Sequence, residues 1–313
     1  MGKLIDGEWT QRPFPTDEDG RFTRAPVTFR DKVEPGGRFA PEAGRYHLYV
    51  SLACPWAHRV LIHRKLRKLE DAISLSVVHY DMLDDGWTFE EAPGVIPDPI
   101  MNARFLREIY VAADPKFTGR VTVPVLWDKK EGTIVNNESR ELIRMFNTSF
   151  RELGDPEVSF FHEDLEPAIE SAIDAIYEPI NNGVYRSGFA VKQGAYEDAV
   201  TELFSALDHW EKVLGKQPYL AGDRLTEADW CLFTTLIRFD PVYHGHFKCN
   251  LRRIIDYPNL FNYMKQLYQI PGVAETVDFT HIKGHYYRSH TDINPTQIVP
   301  KGPVQDLNAP HDR

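Results

Sequence analysis

The chain has 313 residues, of which 42% are apolar and 26% are charged, and this is typical of one large or two ordinary globular domains. Disordered, fibrous and collagen-like proteins are excluded by the same composition. The 36 basic and 46 acidic side chains give a net charge of −10, which repels phosphate backbones and disfavours nucleic acid or an anionic membrane as the main partner.

The cysteine content and the N-terminal sequence both favour a soluble cytoplasmic protein. Cys54, Cys231 and Cys249 are an odd number and too scattered for a disulfide framework, which favours a reducing compartment. The first residues lack the apolar segment of a signal peptide, and the longest apolar runs are far shorter than a membrane span.

The first half of the chain alternates predicted strands and helices. Residues 1–44 are rich in proline and glycine and predict an irregular arm. Apolar patterns predict a strand at 46–52, a helix at 55–69 and a strand at 73–79. This order is a βαβ unit, whose two strands must be parallel.

A long excursion over 81–119, with a short helix near 101–112, separates this unit from a second one. Residues 121–127 and 132–135 predict two further strands, and 138–146 predict a helix. The complete order is that of the thioredoxin topology, so we predict a thioredoxin-like domain over 45–150.

The second half shows helical patterns and no convincing strand. Helices are predicted at 165–180, 195–214, 226–239 and 258–268, which together predict an all-helical domain over 160–278. Residues 279–313 contain four prolines and predict a non-helical tail that packs near the active site. The fold class is therefore α/β plus all-α.

Cys54 is the strongest candidate for a catalytic residue. It lies at the turn between the first predicted strand and its helix, and Pro55 suits the first helical position. The free amides and the dipole of the helix would stabilise a thiolate, with a pKa below the usual value of about 8.5. Ala57 stands where a resolving cysteine would be, so an external thiol must resolve a mixed disulfide. The alternative is a buried structural cysteine.

Two further segments are candidates for binding a ligand with a peptide backbone and an amino-acid head group. Pro124 fits a cis bond beside the active site, where the preceding backbone can pair with an extended peptide. Glu138 and Ser139 at a helix N-terminus offer an acid for an amine, and amides with a hydroxyl for a carboxylate. An ordinary helix cap explains the same two residues equally simply. His244, His246 and Cys249 form a poor zinc signature, so we predict no metal site.

Several motifs are spread over essentially the whole chain, namely YHLYVSLACPWAHR at 46–59, DGWTF at 85–89, GRVTVPVLWD at 119–128, VNNES at 135–139, NNGVY at 181–185, FDPVY at 239–243 and NP at 294–295. Together they resemble those of the glutathione transferases, and most closely the Xi class, the glutathionyl-hydroquinone reductases. The resemblance implies that glutathione is a cosubstrate, that no cofactor is permanently bound, and that the site lies between the two domains.

The resemblance also assigns roles to individual residues. Cys54 would be the nucleophile and Tyr185 the proton donor and acceptor, while Tyr243 and Tyr286 would help to lower the pKa of the cysteine. The residues that would hold glutathione are Trp87, Arg120, Val121, Thr122, Val123, Glu138 and Ser139. The resemblance favours a homodimer, although no residue demonstrates one.

Two other functions stay open at this point. An Omega-like thiol transferase or dehydroascorbate reductase would use the same single thiol, but the tyrosine set and the Trp87 loop weigh against it. A non-catalytic module that binds aromatic ligands or acts as a scaffold would be expected to lack Cys54. The sequence does not identify the quinone, because a pocket for aromatic rings accepts many.

Overall fold

The computed structural model describes residues 2–11 and 15–313, and the chain separates into two compact units. The thioredoxin-like unit contains Met1–Pro13, Pro26–Ser159 and Thr276–His290, and the helical unit contains Phe14–Ala25, Phe160–Glu275 and Thr291–Arg313. The predicted boundaries differ from these units, because the arm over 1–44 and the tail over 279–313 are each divided between the two. Within that arm, residues 1 and 12–14 lie outside the described residues.

Residues 2–11 form a β-hairpin, so the prediction of an irregular arm was wrong here. Strand β1 (Gly2–Ile5) pairs antiparallel with β2 (Glu8–Gln11). Both turn residues have positive φ, +48° at Asp6 and +80° at Gly7. Two-residue hairpin turns of this kind favour Asp-Gly, so Asp6-Gly7 is a local signal from which the hairpin could have been predicted.

A four-stranded mixed sheet forms the centre of the thioredoxin-like unit. Its strands are β3 (Tyr46–Val50), β4 (Ile73–Val77), β5 (Val125–Asp128) and β6 (Thr133–Asn136), in the spatial order β4-β3-β5-β6. Strand β3 pairs parallel with β4 and antiparallel with β5, and β6 pairs antiparallel with β5. All five residues of β3 are buried, as the largely apolar sequence of this segment predicts, and the buried set includes His47.

Three helices complete the predicted order in this unit. Helix α1 (Pro55–Leu66) connects β3 to β4, α2 (Leu106–Ala113) lies in the excursion before β5, and α3 (Ser139–Asn147) follows β6 and packs against α1. The thioredoxin-like order is therefore as predicted, with one correction to a strand. Residues 121–124, predicted as part of the third strand, precede β5 and lie outside it.

A histidine is buried in neutral form in the central strand. His47 lies between Ser74 Oγ, 2.7 Å from Nδ1, and Ser76 Oγ, 2.9 Å from Nε2. Ser76 donates its own proton to Pro97 O at 2.8 Å, so Nε2 of His47 donates to Ser76. Burial lowers the pKa of His47 from 6.5 to about 4.

We expect His47 to make the free energy of unfolding depend on pH. Its folded pKa lies below the unfolded value, so stability is lost as pH falls from about 6.5 towards 4. Between about pH 7.5 and 5 the loss is about 2 kcal/mol, measured by urea unfolding. Burial also lowers the pKa of His63, to about 3, so His63 changes the pH dependence of stability in the same direction. The difference between the pH profiles of wild type and His47→Gln therefore isolates the contribution of His47. Parallel pH profiles for the two proteins would contradict this expectation.

The helical unit contains the four predicted helices within a few residues of their predicted bounds. They are α4 (Glu166–Ile176), α6 (Gln193–Leu214), α7 (Glu227–Arg238) and α9 (Pro258–Tyr268), and two short helices, α5 (Gly183–Gly188) and α8 (His244–His246), were not predicted. Thr226 followed by Asp229 three residues later predicts a capping box at the start of α7, and it is confirmed, because Asp229 Oδ2 accepts from the amide of Thr226 at 2.7 Å.

Two π-helical turns interrupt the helical unit. One, Tyr177–Asn181, connects α4 to the start of α5, and the other, Phe239–Tyr243, connects α7 to α8. These turns are rare and often occur at functional sites. The second turn coincides with the FDPVY motif, and the first ends at Asn181, the first residue of the NNGVY motif, whose tyrosine lies in α5.

The prediction of a non-helical tail over 279–313 was wrong for its first part. Helix α10 (Phe279–Ser289) lies there, in the thioredoxin-like unit. Asp278 caps it by accepting from the amide of His281 at 2.9 Å. All four prolines of the predicted tail come after this helix, so they give no reason against it.

Short 3-10 turns complete the secondary structure, at Arg151–Leu153, Glu163–Leu165, Ile254–Asp256 and Ala274–Thr276. Among residues 2–11 and 15–313, no helix combines the length and the apolar character that crossing a bilayer requires.

Candidate active site

Cys54 lies immediately before α1 in an extended backbone conformation, with φ −77° and ψ 122°. It is the N-cap residue, and its carbonyl accepts from the amide of His58 at 3.0 Å. The side chain is half-buried, and none of the three cysteines forms a disulfide. The thiol therefore stands at the positive end of a 12-residue helix, the placement that the sequence predicted and that favours a thiolate.

The segment before β5 approaches this thiol. Cys54 Sγ lies 3.6 Å from the carbonyl oxygen of Val123, and the Val123–Pro124 bond is cis, as predicted. The main chain of Val123 is therefore adjacent to the reacting sulfur. An extended peptide that pairs with this backbone would place its own side chain near Cys54.

Glu138 and Ser139 occupy the N-terminus of α3. The Glu138 carboxylate accepts from the amide of Arg140 at 3.1 Å, so it does cap its own helix. Ser139 is only 3% exposed, and its hydroxyl lies 3.4 Å from Nη1 of Arg59, a residue of α1. The hydrogen bond joins the helix that carries Cys54 to the helix that carries the predicted head-group residues.

Trp87 lies in the excursion after β4, next to Gly86, whose φ of +72° suits glycine. Its indole stacks on the imidazole of His285 in α10, with 4.8 Å between ring centroids and 22° between planes. His285 is fixed in turn, since its Nδ1 lies 2.9 Å from Tyr80 O. Sequence reasoning did not predict the role of His285, because α10 itself was missed.

Tyr286 follows His285 in α10, and only 1% of the residue is exposed. Its ring lies 5.2 Å from that of His285 and 5.5 Å from that of His290. It belongs to the same compact unit as Cys54, although 232 residues separate the two in the sequence.

Tyr185 and Tyr243 belong to the helical unit. Their ring centroids are 6.0 Å apart, and both rings pack against Phe247. The guanidinium of Arg24 lies 5.0 Å from the centroid of Tyr185, and Arg24 Nε donates to Asn182 Oδ1 at 3.0 Å. Arg24 lies outside the sequence motifs, so no local signal in the sequence connects it with Tyr185.

The predicted site residues thus form local sets. Cys54 approaches Val123, Ser139 contacts Arg59, Trp87 joins Tyr286 through His285, and Tyr185 contacts Tyr243. Arg120 and Thr122 are half-buried, while Val121 and Val123 are buried.

His244, His246 and Cys249 were the residues considered for a metal site. Across the described ranges, no group of three or more His, Cys, Asp or Glu side chains could hold a metal ion. Cys249 is fully buried, and burial raises its pKa to about 12, so it is an unreactive thiol at neutral pH.

Comparison with known families agrees with this geometry. Residues 53–149 match the family model described as "Glutathione S-transferase, N-terminal domain", and residues 193–266 match "Glutathione S-transferase, C-terminal domain". The chain is 52% identical to glutathionyl-hydroquinone reductase YqjG of Escherichia coli (strain K12), an alignment covering 100% of this chain and 98% of the relative. It is 51% identical to glutathionyl-hydroquinone reductase PcpF of Sphingobium chlorophenolicum, covering 98% of both chains.

Solved structures agree over the full length. A Xi class glutathione transferase from Natrialba magadii has a TM-score of 0.94 at 54% identity, covering 100% of this chain and 97% of that one. The glutathione-bound structure of YqjG has a TM-score of 0.91 at 50% identity, covering 100% and 99%. The chain belongs to the glutathione S-transferase family and, within it, to the Xi class. The resemblance found in the sequence motifs is thereby confirmed.

Proposed function

We propose that this protein reduces glutathionyl-hydroquinones to hydroquinones with glutathione as cosubstrate, and that Cys54 is the nucleophile. The observation that supports this most directly is the single thiol at the N-terminus of α1, 3.6 Å from Val123 O. Ala57 follows where a second cysteine would resolve a disulfide internally. A site of this kind needs an external thiol to resolve the mixed disulfide. The names of the relatives indicate that this thiol is glutathione.

In the first step the Cys54 thiolate attacks the sulfur of the glutathionyl-hydroquinone. A sulfur–sulfur bond forms and the sulfur–carbon bond breaks, so the electron pair moves to the ring carbon. Tyr185 donates a proton to that carbon, and hydroquinone leaves. Cys54 is then a mixed disulfide with glutathione, and the aromatic product carries hydrogen where sulfur was bound.

In the second step another glutathione, as its thiolate, attacks the glutathione sulfur of this mixed disulfide. Oxidised glutathione leaves and the Cys54 thiolate is regenerated. The electrons that reduce the substrate therefore come from two glutathione units, one of which arrives on the substrate itself.

The binding roles follow the same scheme. Main-chain groups of Val123 would pair with the backbone of glutathione, with Arg120, Val121 and Thr122 beside them. Glu138 would accept from the ammonium of the head group, while Ser139 and the free amides of α3 would donate to its carboxylate. Trp87 would contribute its indole to the glutathione-binding site. Tyr243 and Tyr286 would donate hydrogen bonds that favour anionic species during the reaction.

An Omega-like thiol transferase or dehydroascorbate reductase is the second candidate. A relative from Schizosaccharomyces pombe named "Glutathione S-transferase omega-like 2" is 48% identical, covering 93% of this chain, and the single-thiol geometry suits that chemistry as well. The Trp87 loop and the three tyrosines weigh against it. For the remaining properties we propose a cytoplasmic homodimer without nucleic-acid or membrane partners.

One comparison of activities tests the proposed function. Reduction of glutathionyl-menadiol should be fast, whereas conjugation of glutathione to a chloro-nitroarene should be negligible, because Cys54 forms a disulfide rather than activating a bound thiol. Reduction of dehydroascorbate in a parallel assay decides about the second candidate. Conjugation without glutathionyl-menadiol reduction would overturn the proposal.

Incubation with oxidised glutathione should add one glutathione to the protein, on Cys54. The adduct should persist until dithiothreitol removes it, because no neighbouring thiol can displace it. Intact-protein mass spectrometry followed by peptide mapping measures this. An intramolecular disulfide between Cys54 and Cys231 or Cys249 would contradict the single-thiol mechanism.

A further inference from the structure

The hydroxyl of Tyr110 lies at the centre of a buried hydrogen-bond cluster. Tyr110 is in α2 and is fully buried. Its hydroxyl donates to Thr122 O at 2.8 Å, and it accepts from the amide of Thr122 at 3.2 Å and from Asn137 Nδ2 at 3.1 Å. Thr122 Oγ1 also lies 3.2 Å from the phenolic oxygen, so the main-chain amide, the carbonyl and the hydroxyl of Thr122 all contact it.

The bonds to Thr122 replace a strand ladder. Residues 120–124 lie between the bridge of Gly119 with Leu4 and the start of β5, and they are outside the strands. Both main-chain polar groups of Thr122 are bonded to the Tyr110 side chain. The backbone that leads to Val123, and so to the oxygen beside Cys54 Sγ, is therefore held at its midpoint by one side chain.

The bond to Asn137 reaches the other binding segment. Asn137 lies between β6 and α3, directly before Glu138, and is 4% exposed. Its main-chain amide donates to Phe29 O at 3.1 Å, and its side-chain amide donates to the Tyr110 hydroxyl. The carbonyl oxygen of its side chain has no partner among the described residues, so the bond to Tyr110 is what orients this side chain.

We propose that Tyr110 is a positioning residue that fixes the 120–123 segment and the 137–139 turn relative to each other, so that both can hold one glutathione molecule. Tyr110 would not touch glutathione itself. The inference rests on the proposed function, which assigns these two segments to glutathione. Burial raises the pKa of Tyr110, so the hydroxyl keeps the proton that it donates to Thr122.

Tyr110→Phe removes only this hydroxyl and keeps the ring in the core. We expect the KM for glutathione to rise about tenfold, because the Thr122 amide and Asn137 Nδ2 lose their acceptor and the two segments lose their connection. The value of kcat at saturating glutathione should stay within about twofold, since no group at the reacting atoms has changed. Calorimetric titration with glutathione should show a matching loss of affinity.

Tyr46→Phe is the matched control. Tyr46 is also fully buried in the thioredoxin-like unit, and its hydroxyl donates to Ala40 O at 2.7 Å, far in sequence from either binding segment. Because this bond is lost, we expect Tyr46→Phe to lower the melting temperature about as much as Tyr110→Phe does. The KM for glutathione should not change. An equal rise in KM in both variants would mean a general loss of stability and would overturn the proposal.

Asn137→Ala provides a second, independent variant. It removes the bond to one segment and should raise the KM by about threefold, a smaller effect than Tyr110→Phe. In the double variant the two effects should not multiply, because Asn137 acts through the Tyr110 hydroxyl. Should Tyr110→Phe fail to accumulate as folded protein, Asn137→Ala carries the test, and a wild-type KM in that variant would then overturn the proposal.

The outcomes separate this inference from the proposed function. A wild-type protein that binds glutathione but does not reduce glutathionyl-menadiol contradicts the proposed reaction, and the calorimetric comparison of the variants still decides about Tyr110. A wild-type protein that reduces the substrate while folded Tyr110→Phe keeps the wild-type KM contradicts the inference alone.

Discussion

Cys54→Ser should lower the reduction of glutathionyl-menadiol on the order of 10⁴-fold or more. A serine hydroxyl is not ionised near neutral pH, and it cannot form the mixed disulfide on which both steps depend. Glutathione binding, measured by calorimetry, should survive because the segments 120–123 and 137–139 are unchanged. Turnover at the wild-type rate would exclude the mechanism.

Cys249→Ala is the matched control for this variant. Cys249 is buried, and its raised pKa keeps it protonated, so its loss should leave both turnover and the glutathione adduct intact. The rate of Cys54 alkylation against pH adds a separate measurement. The placement before α1 should shift the midpoint of that curve below the value of an ordinary thiol. A midpoint at the ordinary value would mean that the helix does not activate Cys54.

Local signals explain most of the agreement between sequence and structure. The Cys-Pro pair predicted the start of α1, the Thr226 and Asp229 pair predicted the start of α7, and the largely apolar pattern of 46–52 predicted strand β3. Each of these features is decided within a few residues of the chain. The motifs that gave the Xi class resemblance are likewise local, and the class is confirmed by relatives at about 50% identity over the full chain.

The missed elements depend on residues far away in the sequence. Helix α10 is held by contacts to the excursion after β4, where the Gly284 backbone lies against the Tyr80 ring and Arg288 pairs with Asp81 at 2.6 Å. Tyr110 gave no signal for a similar reason. Its sequence position is that of an ordinary buried aromatic residue in an amphipathic helix, and only the fold brings Thr122 and Asn137 to its hydroxyl. The hairpin at 2–11 is different, since its Asp-Gly turn was a local signal.

Tyr243→Phe and Tyr286→Phe serve as comparisons for the proton donor. Tyr286 shares a compact unit with Cys54, and Tyr243 is packed against Tyr185 in the helical unit. If their hydroxyls donate towards the thiolate or towards the developing phenolate, their loss should shift the alkylation midpoint of Cys54 upwards together with a decrease in turnover. Tyr185→Phe should leave that midpoint unchanged.

Tyr185→Phe should slow hydroquinone release by about 10²- to 10⁴-fold, the range that general acid catalysis usually contributes. The substitution removes the phenolic proton but keeps the ring, which packs against Tyr243 and Phe247, so the site should keep its aromatic surface. Reaction of Cys54 with oxidised glutathione should proceed as in wild type, because that step needs no proton on carbon. Single-turnover measurement of hydroquinone release, beside the rate of adduct formation, separates the two steps. A normal release rate combined with a shifted alkylation midpoint would mean that Tyr185 acts on the thiol and that another group supplies the proton.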